Sequence, residues 1–210
     1  MKSDKFLQTL IILLQYTLTC IVLSCYITGI LCTILFDFSI IKFYFLSTSF
    51  IYYLMALVKS PGSLFDVHDS EVKGICTKCN RIRGIKTKHC SICNKCYNKR
   101  DHHCMLLGKC IAQDNIKDFI FMQIFLCGFV FLRAYCGPAR MLCGFIGMLL
   151  ILSIIWFSCI FAFEKTSREI IALDKWTFSL KGCKKILYTL KDSPINIFLP
   201  FLKLTATVDF

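Results

Sequence analysis

Charge is nearly missing from long parts of this chain, and its absence excludes an ordinary soluble domain. Phe6 to Phe36 is almost free of charged residues, and Ser39 to Val58 carries only Lys42. The composition is 56% hydrophobic over 210 residues, and the apolar residues are bunched into runs rather than spaced along one helix face. A small-residue cleavage pattern is also lacking after the first run, which is too long for the apolar region of a signal peptide, so an anchor is expected there. A second apolar pair, Phe119 to about Tyr135 and Met141 to Phe163, brackets Arg133 to Arg140, whose Gly137-Pro138 reads as a tight turn at an interface. The expected architecture is therefore an all-α polytopic membrane protein with four transmembrane helices. Spans 1 and 2 fall in 1–58, a polar loop in 59–118, spans 3 and 4 in 119–163, and a partly membrane-associated segment in 164–210.

Basic residues are scarce on one side of that arrangement. Of the 25 Lys and Arg, only Lys42, Arg133 and Arg140 lie where the layout puts the far side of the bilayer. Excess Lys and Arg mark cytosolic segments, which places both termini and the central loop in the cytosol. The net charge of +12 would suit nucleic acid, but its confinement to stretches beside the membrane favours anionic headgroups and an anionic cofactor instead, and no nucleic-acid partner is expected.

The loop lacks a hydrophobic core of its own, because Lys, Arg, Asn and Thr dominate Thr77 to Arg100. What it has instead is cysteine. Seven of the fifteen cysteines and three of the four histidines fall in the 35 residues from Cys76 to Cys110. In the reducing cytosol a disulfide framework is disfavoured, so these thiols call for metal or catalysis. Cys76-x2-Cys79, Cys90-x2-Cys93 and Cys93-x2-Cys96 have the spacing that lets two thiolates reach one zinc ion around a tight turn. Two closed tetrahedral sites take eight ligands and the segment offers ten, leaving one cysteine and one histidine unspent. The densest cluster, Asp101-His102-His103-Cys104, holds the inventory of an activated thiol nucleophile. Spacing alone does not say which of the two adjacent histidines is the ligand.

The run Cys76-x2-Cys79-x9-His89-Cys90-x2-Cys93-x2-Cys96-x4-Asp101-His102-His103-Cys104-x5-Cys110-x4-Asn115-x3-Phe119 resembles the cysteine-rich domain of the DHHC-type protein S-acyltransferases, the palmitoyltransferases. Ser60-Pro61-Gly62 and Thr166-Ser167-Arg168-Glu169 resemble, more weakly, the family's Asp-Pro-Gly and Thr-Thr-x-Glu motifs. The resemblance implies two interleaved structural zinc ions, one on Cys76, Cys79, His89 and Cys96, the other on Cys90, Cys93, His103 and Cys110. It leaves His102 and Cys104 free. It further implies that Cys104 takes a long-chain acyl group, palmitoyl above all, from fatty acyl-CoA as a thioester. His102 would then be its general base and Asp101 the residue that orients the ring. The acyl group would pass to cysteines of membrane-associated proteins facing the cytosol, and the setting would be an endomembrane such as the ER or Golgi.

Some positions depart from the family's pattern or have plainer readings. Met105-Leu106 stand where Pro-Trp is usual, and Gly108-Lys109 where an Asn is usual, changes that bear on rate and acyl selectivity. Ser60-Pro61-Gly62 reads equally well as a helix-ending turn, and Thr166 to Glu169 as a capping box. The cysteines of the apolar stretches read as small packing residues. No repeat or appended module is present to recruit clients, so substrate choice would rest on proximity at the membrane or on an accessory subunit. The alternative to an enzyme is a zinc-stabilised, catalytically inactive membrane adaptor that binds client proteins.

Overall fold

The computed structural model describes residues 2–36, 38–62, 72–84, 86–136 and 140–163. The Gly137-Pro138 turn, His68, Thr166 to Glu169, Cys183 and the apolar run after Pro194 lie outside them. Helix α1 spans Lys2–Phe36, α2 Ile40–Val58, α3 Ile116–Cys136 and α4 Arg140–Phe163. Between α2 and α3 come six short strands: β1 (Val72–Ile75), β2 (Ile82–Gly84), β3 (Lys88–Cys90), β4 (Lys95–Tyr97), β5 (His102–Cys104) and β6 (Lys109–Ile111). They pair as three separate antiparallel two-stranded sheets, β1 with β2, β3 with β4 and β5 with β6.

These strands correct the all-α expectation. The helices stand where the apolar runs predict them, but the cysteine loop is built from hairpins. Strands of three or four residues with no hydrophobic face carry no alternating pattern to read. Their ends are fixed instead by turns and by Cys and His side chains.

Two helices, over Thr9–Phe36 and Ile40–Val58, are long and apolar enough to cross a membrane, while the apolar run within α4, Met141–Phe157, is shorter. Along α1, Leu10, Leu13, Leu14, Leu31 and Leu35 are each more than half exposed. An apolar surface of that extent fits association with lipid, where every backbone polar group must find its partner inside the helix. Helix α2 begins where the Ser39 carbonyl accepts the Phe43 amide at 2.9 Å. It ends before Ser60-Pro61, since a proline disfavours the helical conformation of the residue preceding it.

Contacts divide the chain into two units. One, made of 26–54 and 118–210, is over its described residues a helical assembly around aromatic side chains. Tyr52 stacks on Phe125 at 5.7 Å and 15° and lies 5.3 Å from Phe121. A Cβ at Gly128 would overlap the Phe45 ring, so glycine there lets α2 and α3 approach closely. Polar bonds cross the same contacts. Tyr26 and Ser49 share a 2.8 Å hydrogen bond, Ser49 Oγ donates to the Met122 carbonyl at 2.9 Å, and Gln123 donates to Ser153 at 3.0 Å.

The other unit, made of 1–25 and 55–117, carries all six strands together with the first part of α1 and the last turn of α2. The Ser60-Pro61-Gly62 segment does more here than stop a helix. Pro61 and Gly62 are buried, the Pro61 carbonyl accepts the Asp114 amide at 3.3 Å, and Gly62 has φ +133° with the Asp114 carboxylate 3.4 Å from where a Cβ would stand. Both the close approach and the positive φ call for glycine.

Candidate metal centres and active site

The first two hairpins each present a pair of cysteines at the turn by the same local geometry. Cys76 and Cys79 sit at the tip of the β1–β2 hairpin, where the Cys76 amide donates to Arg81 O at 2.9 Å and the Asn80 amide returns to Cys76 O at 2.8 Å. Cys90 and Cys93 occupy the corresponding turn between β3 and β4. In both turns the residue after the second cysteine is an asparagine in the left-handed region, Asn80 at φ 49° and Asn94 at φ 50°. Asparagine reaches that region at less cost than other non-glycine residues, which closes the knuckle around a common point.

Strand alternation then sorts the ligands. Successive side chains of a strand face opposite sides. On β3, His89 and Cys90 therefore point to different centres. His89 pairs across the hairpin with Cys96, and on the last hairpin His103 pairs with Cys110. The result is two groups, Cys76, Cys79, His89 and Cys96, and Cys90, Cys93, His103 and Cys110, each with its ligand atoms within 4.8 Å of one another. Nδ1 of His89 lies 3.7 Å from Cys76 Sγ and 3.6 Å from Cys96 Sγ, and Cys79 and Cys96 sulfurs are 3.3 Å apart. In the second group, His103 Nδ1 lies 3.5, 3.3 and 3.7 Å from the sulfurs of Cys90, Cys93 and Cys110, and Cys93 and Cys110 are 3.7 Å apart.

A tetrahedral zinc with Zn–S of about 2.3 Å sets its sulfurs about 3.7 Å apart, so the spacing and the three-sulfur, one-nitrogen donor set fit such an ion. The electrostatics point the same way. Hydrogen bonds with Cys90 and Cys93 push the Cys110 thiol far up, while hydrogen bonds with Cys110 and Cys93 push Cys90 far down. Sulfurs this close cannot all ionise without a cation among them. Arg100 Nε also donates to Cys110 Sγ at 3.3 Å, adding positive charge beside this thiolate ligand.

On β5 the same alternation separates the adjacent histidines. His103 turns to the second cluster, and His102 and Cys104, two residues apart, share the opposite face. Neither His102 nor Cys104 belongs to a metal-ligand group. His102 Nδ1 donates to Asp101 Oδ2 at 2.8 Å; the Asp101 side chain is 2% exposed and that of His102 34%. Burial alone would lower the His102 pKa, but its hydrogen bonds with Asp101 and Cys104 override that and push it up to about 9. Burial would raise the Cys104 thiol, but the His102 partner and the Leu107 amide hold it below its ordinary value. Each group thus favours the charged form of the other, the thiolate of Cys104 and the imidazolium of His102.

Several residues named in the sequence hold this hairpin through contacts that the sequence does not show. Lys109, the cross-strand partner of Cys104, donates through Nζ to the carbonyls of Leu57 at 2.6 Å and Lys59 at 2.8 Å, satisfying the open end of α2. Asn115 is fully buried; it accepts the Ala112 amide at 2.9 Å and donates to the Cys110 carbonyl at 3.0 Å, tying a metal ligand to the start of α3. Met105-Leu106 lead into a closed turn. Leu107 is buried, and the Leu106 carbonyl accepts Thr19 Oγ1 at 3.3 Å.

A family model described as DHHC palmitoyltransferase matches residues 69–207, about two thirds of the chain. A search of curated proteins finds no match.

Proposed function

The chain belongs to the DHHC palmitoyltransferase family, and on that premise we propose that it is an active protein S-acyltransferase with Cys104 as nucleophile, His102 as its proton partner and Asp101 as the group that orients His102. The observation that carries this reading is the hydrogen bond from His102 to a buried Asp101, beside a Cys104 that no metal-ligand cluster uses. An inactive adaptor would need the eight ligands but not this set.

The reaction is a thioester exchange. Cys104 Sγ attacks the carbonyl carbon of a long-chain acyl-CoA, the carbonyl–sulfur bond to CoA breaks, and CoA leaves as its thiolate, to which the His102 imidazolium can give a proton. In the second half a client cysteine attacks the Cys104 thioester after losing its proton to His102, and the Cys104 thiolate returns. No energy source is needed, because one thioester replaces another. Asp101 keeps the His102 ring in the tautomer that presents Nε2 to the sulfur. Zinc ions held by Cys76, Cys79, His89 and Cys96 and by Cys90, Cys93, His103 and Cys110 would supply structure, cross-linking the short hairpins.

In this reading α3 and α4 are spans three and four, and residues 59–118 face the cytosol, an orientation that the basic residues of that stretch support. Clients are membrane-associated proteins with cytosolic cysteines, and the setting is an endomembrane. The basic Lys86, Lys88, Lys99 and Arg100 of the loop are the candidates for meeting the CoA phosphates.

Asp101→Asn tests the proton relay. It removes the carboxylate that favours the imidazolium, so the His102 pKa falls and the support His102 gives the Cys104 thiolate weakens. Self-acylation at pH 7 should drop about 10²–10⁴-fold with zinc content unchanged, and raising the pH toward 9 should recover part of it as the thiol ionises unaided. Wild-type rates from pH 6 to 9 in this variant would remove Asp101 and His102 from the mechanism.

A further inference from the structure

Gln15 is a polar residue in the apolar run of α1, and it is only 6% exposed. A buried amide in such a helix costs free energy unless it is hydrogen-bonded. Its partner is the ring of His103: Gln15 Nε2 lies 2.5 Å from His103 Nε2, the nitrogen facing away from the Cys90, Cys93 and Cys110 sulfurs. Thr19, one turn further along the same face of α1, reaches the Leu106 carbonyl. Gly108, whose φ of +65° suits glycine, places the β5–β6 turn beside both, with its Cβ position 3.4 Å from Thr19 Oγ1 and 3.9 Å from Gln15 Nε2. Gln15 and His103 also share the wall of a cavity of about 370 Å³ with Thr19 and Lys109.

We infer that Gln15 is a positioning residue for the metal centre of Cys90, Cys93, His103 and Cys110: its amide oxygen accepts the Nε2 proton of His103 and fixes the tautomer that offers Nδ1 to the ion. This rests on the metal reading of the two clusters. With Nδ1 given to a cation, a neutral imidazole must carry its proton on Nε2, and the Gln15 amide meets it with Oε1 by a half-turn about its last bond. A ligating histidine whose other nitrogen is held this way binds metal more tightly, and losing the partner typically costs 10–100-fold in affinity. The other cluster provides the contrast, because His89 Nε2 is buried and has no hydrogen-bond partner among the described residues. Among the described residues, α1 braces only one of the two centres. The same brace fixes β5, and with it the orientation of His102 and Cys104.

Cysteine-resolved alkylation of the full chain in detergent, with N-ethylmaleimide and a zinc chelator, tests this. In wild type the six ligand cysteines should react slowly and Cys104 fast. Gln15→Leu, which suits an apolar helix at least as well as glutamine, should speed alkylation of Cys90, Cys93 and Cys110 about 10–100-fold while leaving Cys76, Cys79 and Cys96 at wild-type rates. Gln15→Glu keeps an acceptor and should behave as wild type. Unchanged rates at Cys90, Cys93 and Cys110 in Gln15→Leu, equal acceleration at both clusters, or a Gln15→Glu variant as fast as Gln15→Leu would overturn the proposal. If the ligand cysteines of wild type react as fast as Cys104, the metal reading itself fails.

Discussion

Cys104→Ser is expected to bring both self-acylation and transfer to client proteins down to background while zinc content stays near two per chain. A serine hydroxyl is not ionised at neutral pH and a neighbouring imidazole must deprotonate it during the reaction, whereas the Cys104 thiol is already held below its ordinary pKa by His102 and the Leu107 amide. The substitution removes one sulfur from a site that lies outside both ligand groups, so the hairpins keep their cross-links. Zinc determination by atomic absorption, run beside a fatty acyl-CoA labelling assay, reads both quantities. Loss of one zinc equivalent in the serine variant would make Cys104 a ligand and remove it from catalysis.

The adjacent histidines should separate just as sharply. His103→Ala takes a nitrogen that lies within 3.7 Å of three sulfurs. The centre then keeps three ligands, and zinc content should fall toward one per chain as the β5–β6 hairpin loosens, because metal binding supplies most of the folding free energy of such small domains. His102→Ala should keep both zincs and the fold but slow self-acylation about 10²–10⁴-fold. Its rate should also rise with pH toward the ordinary thiol range near 8.5, because the thiolate has lost the imidazolium that stabilised it. Metal analysis and pH–rate profiles of the two variants decide the assignment. Zinc loss confined to His102→Ala would exchange their roles.

Much of this was legible in the residues because the signals are compositional. Charge-free runs located the helices to within a few positions: Ser39 to Val58 became Ile40–Val58, and Phe119 to about Tyr135 became Ile116–Cys136. Counting ten candidate ligands against eight places left one thiol and one imidazole over, and the two clusters use eight. What could not be read was the reason. Strand alternation sends His89 and Cys90 to different centres and sets His102 and Cys104 opposite His103, but three-residue strands without an apolar face leave no periodic trace in a sequence. The contacts of Lys109 with Leu57 and Lys59, and of Gln15 with His103, join positions about 50 and 88 residues apart. No local pattern encodes a pairing across that distance. In the sequence Lys109 stood out only as a departure from the family's pattern, and Gln15 only as part of an apolar run.

The central claim is that Cys104 carries an acyl group as a thioester, and mass spectrometry of the intact chain after incubation with palmitoyl-CoA tests it most directly. The account predicts a mass increment of one palmitoyl group that is removed by neutral hydroxylamine, maps to Cys104 on digestion and is absent from Cys104→Ser. A chain that binds zinc at both centres yet gains no hydroxylamine-labile mass, or gains it on another cysteine with Cys104 unmodified, would contradict that claim and leave a zinc-stabilised membrane adaptor in its place.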